Sequence, residues 1–223
     1  MKFNRIALAT ILAASALTSS AQGAVILRLT DIDTLLSTVI SDGGINDANG
    51  ASGVVTFIGS VGIWNINVST GLSSSGLPGL PTLDLNSINA STGGGSLRIE
   101  LTDTGFVAGS PVSLLESIGG TTAGTVSAIG WLDPSNTAFG HGGAAVNLGT
   151  LGGPAFAKTA ASASVNLTGP FSITQQVTVT HTGAGVTSFD FFGTAVPEPA
   201  TMWSAALGLG ACLWIARRRA NRA

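Results

Sequence analysis

Tyrosine is absent from this chain, cysteine occurs once, histidine twice, and only 9% of the residues carry a charge. Each scarcity excludes something. Cys212, the single cysteine, lies in an apolar run near the C-terminus, so no disulfide can staple the rest of the chain. That rest must hold together by packing alone. With two histidines and no cysteine to draw on, it offers no set of ligands at zinc spacing. No G-x-S-x-G elbow occurs, and no pair of acids carries a local glycosidase signature. Long amphipathic helix patterns are missing too. Between the two ends, apolar residues come in short alternating runs.

What is present begins with the ends. Lys2 and Arg5 precede the apolar run Ile6–Leu17, and the small residues of Ser19-Ser20-Ala21-Gln22-Gly23-Ala24 follow. That order predicts a secretory signal peptide over 1–21, cut between 21 and 24. The C-terminal segment, 196–223, has three parts. Pro197-Glu198-Pro199 comes first, then the uncharged run Ala200–Ala216, then a basic tail over 217–223 led by Arg217, Arg218 and Arg219. As a helix the run spans roughly 25 Å, at the short end of what crosses a bilayer. Trp203 and Trp214 sit near its two ends, where amphipathic rings prefer to lie. Ser204, Gly208, Cys212 and Ala216 line one stripe with small side chains. The arginines stop transfer and hold the C-terminus in the cytoplasm, which places the body on the opposite side. Each proline fixes φ and removes an N–H, so Pro-Glu-Pro is a stiff, extended segment beside the membrane.

Proline motif, apolar run and arginine cluster, in that order at the extreme C-terminus, resemble the PEP-CTERM sorting signal of Gram-negative bacteria. The resemblance implies recognition by exosortase, a membrane-embedded transpeptidase-like enzyme that removes the helix and releases the body. It places recognition on Pro197, Glu198 and Pro199, the helix on 200–216 and the stop on Arg217–Arg219. The Sec translocon and signal peptidase are the partners that the N-terminus implies. The expected precursor is anchored in the inner membrane, and its mature form is at the cell surface or outside. An ordinary anchor that is never cut is the competing reading.

Without both ends, Arg28, Arg98 and Lys158 face ten acids, a net charge near −7. A nucleic-acid partner would need a basic surface, so none is expected. The body, 25–195, reads as one all-β domain. Strands are expected at 25–30, 54–58, 64–69, 83–88, 96–102, 111–118, 125–132, 171–181 and 186–192. Trp64, Ile66 and Val68 share a face, as do Leu83, Leu85 and Ser87, and Leu97, Ile99 and Leu101. On 171–181, Phe171, Ile173, Val177, Val179 and His181 face one way. Gly71–Pro81 reads as a loop, Thr182–Gly185 as a hairpin turn, and 135–154 is left without assignment. Such spacing points to an antiparallel β-sandwich, with a jelly roll among its possible arrangements. The stretches 83–106 and 172–191 also resemble a module that precedes PEP-CTERM tails in many bacterial proteins. That resemblance supplies no catalytic residues.

Little else in the body suggests chemistry. His141, in Gly-His-Gly-Gly, reads as an exposed loop histidine, and His181 as a cap beside the hairpin. Asp31 and Asp33 read as turn residues. The loop 42–50 fails the calcium-loop pattern, having Gly44 at position 3 and Asp47 at position 6, and reads as a polar turn. Asn67, Asn89 and Asn166 stand in N-x-[ST] sequons, which chance explains in so polar a chain. No catalytic, cofactor-binding or metal-binding residue is assigned. The expected function is that of an exported, non-enzymatic protein associated with exopolysaccharide, biofilm or cell envelope. Two alternatives are open. A carbohydrate-binding module requires Trp64 and Trp131 to be exposed, and a secreted hydrolase requires a pocket joining His141 or His181 to acids.

Overall fold

The computed structural model describes residue 23, residues 25–75 and residues 79–198. The expected signal peptide, Pro199, the apolar run and the arginines lie outside the described residues. Among the described residues all regular structure is strand, twelve in number: β1 (Ile26–Asp31), β2 (Ser37–Ser41), β3 (Val54–Val61), β4 (Trp64–Ser73), β5 (Thr82–Ser91), β6 (Gly95–Phe106), β7 (Val112–Thr122), β8 (Thr125–Asp133), β9 (Ala144–Gly152), β10 (Phe156–Ala161), β11 (Phe171–His181) and β12 (Gly185–Pro197). They form two six-stranded antiparallel sheets, ordered β2-β1-β6-β11-β8-β9 and β10-β7-β12-β5-β4-β3. We call them sheet I and sheet II.

Facing strands are β2 on β3, β1 on β4, β6 on β5, β11 on β12, β8 on β7 and β9 on β10, and all of these pairs but β1 with β4 are neighbours in sequence. From β5 to β12 the chain changes sheet at every connection except β8–β9. The quartets β5-β12-β7-β10 and β6-β11-β8-β9 are therefore a jelly roll, and β1 to β4 widen each sheet by two strands. The sandwich read from the sequence is present, in its jelly-roll form.

Alternation explains the packing. Leu97, Ile99 and Leu101 of β6 meet Leu83 and Leu85 of β5 in one continuous core, together with Trp64, Phe106, Phe171 and Phe191. On β5, Leu83, Leu85 and Ser87 are buried as expected, while Asp84, Asn86 and Ile88 face outward. Trp64 and Ile66 are buried as expected; the side chain of Val68 lies outside those described.

Three expectations need correction. Residues 71–73 belong to β4, not to a loop. A Cβ on Gly71 would come within 2.2 Å of the Leu101 side chain, so glycine is required where β4 crosses β6. Thr182–Gly185 is not a hairpin turn: β11 pairs with β6 and β8 in sheet I, and β12 pairs with β5 and β7 in sheet II. The turn is an arch from one sheet to the other. His181, expected to cap its strand beside a hairpin, correspondingly ends the strand as a buried residue beside that arch. The unassigned stretch 135–154 contains β9, and two edge strands, β2 and β10, carried no expectation.

Candidate processing site at the end of the last strand

β12 is central in sheet II, yet it is also where the body ends. Along most of its length it is paired on both sides, with Thr194 opposite Thr82 of β5 and Leu115 of β7. Beyond that point the β5 side falls away. Its last contacts there are Ala195 N–H to Pro81 C=O at 2.9 Å and Thr194 Oγ1–H to the same carbonyl at 3.1 Å. On the β7 side the register continues, with Val196 opposite Ser113 and Pro197 opposite Val112. Glu198 N–H then donates to Pro111 C=O at 2.9 Å. The first two residues of the Pro-Glu-Pro motif are thus held extended by one neighbour and, among the described residues, unpaired on the other edge. Proline suits this place, because a residue with only one paired edge can lack an N–H without orphaning a partner. Pro197 is half-buried and Glu198 is exposed.

The rest of the body uses its polar groups structurally. Asp31 Oδ1 accepts the N–H groups of Asp33 and Thr34 at 3.1 Å, and Asp31 Oδ2 accepts that of Ile63 at 3.2 Å, tying two turns together. In the loop 42–50, Asp42 accepts Gly53 N–H at 2.7 Å, and Asp47 accepts those of Gly43, Asn49 and Thr56. Partial burial pushes the Asp47 carboxyl up, but these three donors outweigh it and hold the group below its usual range. Both carboxylates are spent on backbone, which is the turn reading. The Asn89 side chain is buried in the core, so the sequon there is closed to modification in the folded domain.

His181 comes closest to catalytic geometry. Its Nδ1 lies 2.7 Å from Ser91 Oγ, and its Nε2 lies 2.8 Å from Thr187 Oγ1, which in turn lies 2.7 Å from Thr122 Oγ1. A serine–histidine pair needs an acid to orient the ring. Here a threonine hydroxyl occupies that position, Ser91, His181 and Thr187 are all buried, and the Trp64 ring centroid is 5.0 Å from the imidazole. Burial pushes the His181 pKa down, so the folded state holds it neutral. The sign follows: the unfolded chain takes up the proton first, and stability falls as pH drops from about 6.5 towards the lower folded value. His181→Gln is expected to flatten that acid limb, measured by urea unfolding at a series of pH values.

His141 is exposed and stacks on half-buried Trp131, ring centroids 4.0 Å apart and planes 25° from parallel. Both lie on the outer face of sheet I. There the connection between β8 and β9 folds back, with Phe139 N–H on Thr102 Oγ1 and Ser172 Oγ–H on Thr137 C=O. Arg28 lies 3.9 Å from the centre of the Phe139 ring and makes two bonds to buried Glu100, at 2.7 and 2.8 Å. Two shallow grooves open elsewhere. One of about 460 Å³ on the outer face of sheet II includes Ile58, Asn65, Asn67, Ile88 and Val186 in its lining. The other, about 230 Å³ and lined by residues such as Ser127, Asn147 and Thr150, lies along β8 and β9. Neither is lined by a histidine or an acid.

Comparison with known proteins finds the PEP-CTERM protein-sorting motif at residues 195–219. No curated protein matches the chain. Similar solved structures include a carbohydrate-binding module studied for specific mannan recognition. It is 13% identical, with 61% of this chain and 84% of that one covered, at a TM-score of 0.26. Another is the isomalto-dextranase of Arthrobacter globiformis T6 complexed with panose. It is 9% identical, with 78% of this chain and 30% of that one covered, at a TM-score of 0.27. Likenesses so distant carry no argument about what this chain binds.

Proposed function

From the presence of a PEP-CTERM sorting motif, which marks an exported precursor anchored in the membrane and sorted to the cell surface, we propose that exosortase reads the end of β12 and releases the β-sandwich there. The observation that carries this reading is the continuity of motif and fold. Pro197 is the last residue of a central strand, and from Val196 onward, among the described residues, only the β7 edge is paired. An enzyme that binds extended peptide can pair with the open edge while the other stays on the body. In this reading the tail's arginines lie in the cytoplasm and the body outside. The released body is a non-enzymatic surface or extracellular protein associated with exopolysaccharide, biofilm or cell envelope. Its acid-free histidine cluster and its acid-free grooves support that reading over a hydrolase. Comparing wild-type precursor in hosts with and without exosortase, by fractionation and immunoblot, tests it: release in the first host and retention in the second is the expected pattern.

A second reading, carbohydrate binding, keeps one specific support. Trp64 is fully buried and unavailable, but Trp131 with its stacked His141 stands on the polar outer face of sheet I. If sugars bind here, Trp131→Ala weakens binding by roughly tenfold, because losing an aromatic stack costs about 1.5 kcal/mol. A glycan array on the purified body, wild type against variant, measures this; equal signals from both exclude the face.

A further inference from the structure

The end of the sandwich from which the tail departs carries exposed apolar side chains and acidic groups. Register places the connections β4–β5, β6–β7 and β2–β3 at this end. Gly109 of the β6–β7 connection stands beside Pro197, and Pro81 of the β4–β5 connection is bonded to Ala195 and Thr194 of β12. Three apolar side chains project from these connections: Val107 is 67% exposed, Leu80 50% and Ile45 88%. The charged residues described in these connections and the chain end include Asp42, Asp47 and Glu198, and among the described residues none of these segments holds a lysine or arginine.

We propose that this end is a lipid-contacting surface that seats the precursor in the zwitterionic headgroup layer, with Val107 and Leu80 beside the emerging tail. The inference rests on the reading of 200–216 as the membrane segment. Between Glu198, still bonded to Pro111, and Ala200, where the apolar run begins, stands only Pro199. At 3.3–3.6 Å per residue that separation is at most roughly 7 Å. The headgroup layer is itself roughly 5–8 Å deep on each side. A run spanning roughly 25 Å is already shorter than a hydrocarbon core of about 30 Å, so no part of it can be withdrawn to serve as a spacer. The strand end is therefore drawn down to the surface, and the connections around it come too. Acidic groups without basic ones favour zwitterionic over anionic lipid.

The test uses the full chain in phosphatidylcholine nanodiscs whose headgroups carry a nitroxide quencher. An environment-sensitive fluorophore is placed on native Cys212, or, in a Cys212→Ser background, on Val107→Cys, Leu80→Cys or Leu35→Cys. Leu35 is 79% exposed and lies in the β1–β2 connection at the opposite end, so it controls for hydrophobicity alone. Blue-shifted, quenched emission at 107 and 80 with neither effect at 35 is the expected result. Unquenched emission at 107 and 80, with the Cys212 label shifted into the apolar phase, overturns the proposal while leaving the anchor intact. An unshifted Cys212 label instead overturns the membrane-segment reading beneath it. Shielding at 107 and 80 that appears only when exosortase is reconstituted alongside assigns the surface to the enzyme and likewise overturns the lipid proposal. Thermal melts of each variant confirm that the sandwich is intact.

Discussion

Changing Pro197, Glu198 and Pro199 together to alanine is expected to leave the body folded and trap nearly all of the protein in the inner membrane. The two halves of that result have separate causes. Folding survives because the Pro197 and Glu198 side chains lie outside the core, and because Pro197 contributes no N–H to either neighbour. Alanine keeps the register opposite Val112, and residue 198 still has an N–H for Pro111 C=O. Sorting fails because the rigid extended backbone, the proline rings and the exposed carboxylate are what a peptide-binding cleft can read. A melting temperature within a few degrees of wild type, with the protein confined to the membrane fraction, is the expected pair of readings. Identical fractionation of the two forms contradicts the sorting account. A collapsed melt would show instead that the end of β12 is structural.

The second large effect concerns Glu116. It stands on β7 pointing into the core, where it is fully buried. A Cβ on Gly130 would come within 2.1 Å of Glu116 Oε1, and one on Gly193 would lie 2.8 Å from both carboxyl oxygens. Glycines on β8 and β12 thus make the space that the carboxyl fills. Its single hydrogen bond is from Gln175 Nε2 to Oε2 at 3.0 Å, while Oε1 has none. Burial drives the pKa well above the usual carboxylate range, and the Gln175 donor opposes this only weakly. The folded protein holds a neutral acid. With the folded value raised, stability is full below the unfolded pKa and declines as pH rises from there towards the folded value. The decline is about 1.4 kcal/mol per pH unit while the folded acid stays protonated.

Glu116→Gln keeps the acceptor for Gln175 and removes the titration. It is expected to match wild type near pH 4 and to be the more stable form near pH 8. Urea unfolding of both forms across that range measures it. Asp84 acts in the same direction, since burial and neighbouring Asp190 raise it to about 6, but its contribution ends there. Because Asp84 titrates in both forms, a gap between wild type and Glu116→Gln that widens with rising pH belongs to Glu116. Parallel curves contradict a neutral buried acid.

How much of this was legible depends on which residues had one apolar face. Leu83-Leu85 and Leu97-Ile99-Leu101 alternate cleanly, and their strands and buried faces were readable. β2 and β10 were not, because an edge strand such as Phe156–Ala161 is largely open to solvent on both faces and has no alternation to show. Gly71 looked like a loop residue because the reason for a glycine there is Leu101, thirty positions away. The arch at 182–185 has the length and composition of a hairpin turn. Which sheet receives the returning strand is decided by β5 and β7, so local sequence could not choose. Glu116 did leave a signal. It shares parity with Leu114 and Ile118, as Gln175 does with Ile173 and Val177, and two polar residues on inward faces mark a buried pair. The candidate site was the most legible part, because order along the chain is itself its information. Its attachment to a central strand was not, since Val196 and Pro197 owe their place to Ser113 and Val112.

Intact mass spectrometry of the protein recovered from the cell surface or medium bears most directly on the claim that the carboxyl end is an address removed after use. The account requires a mature chain that keeps β12 and lacks the apolar run and the arginines. A terminus running through to Ala223 contradicts it.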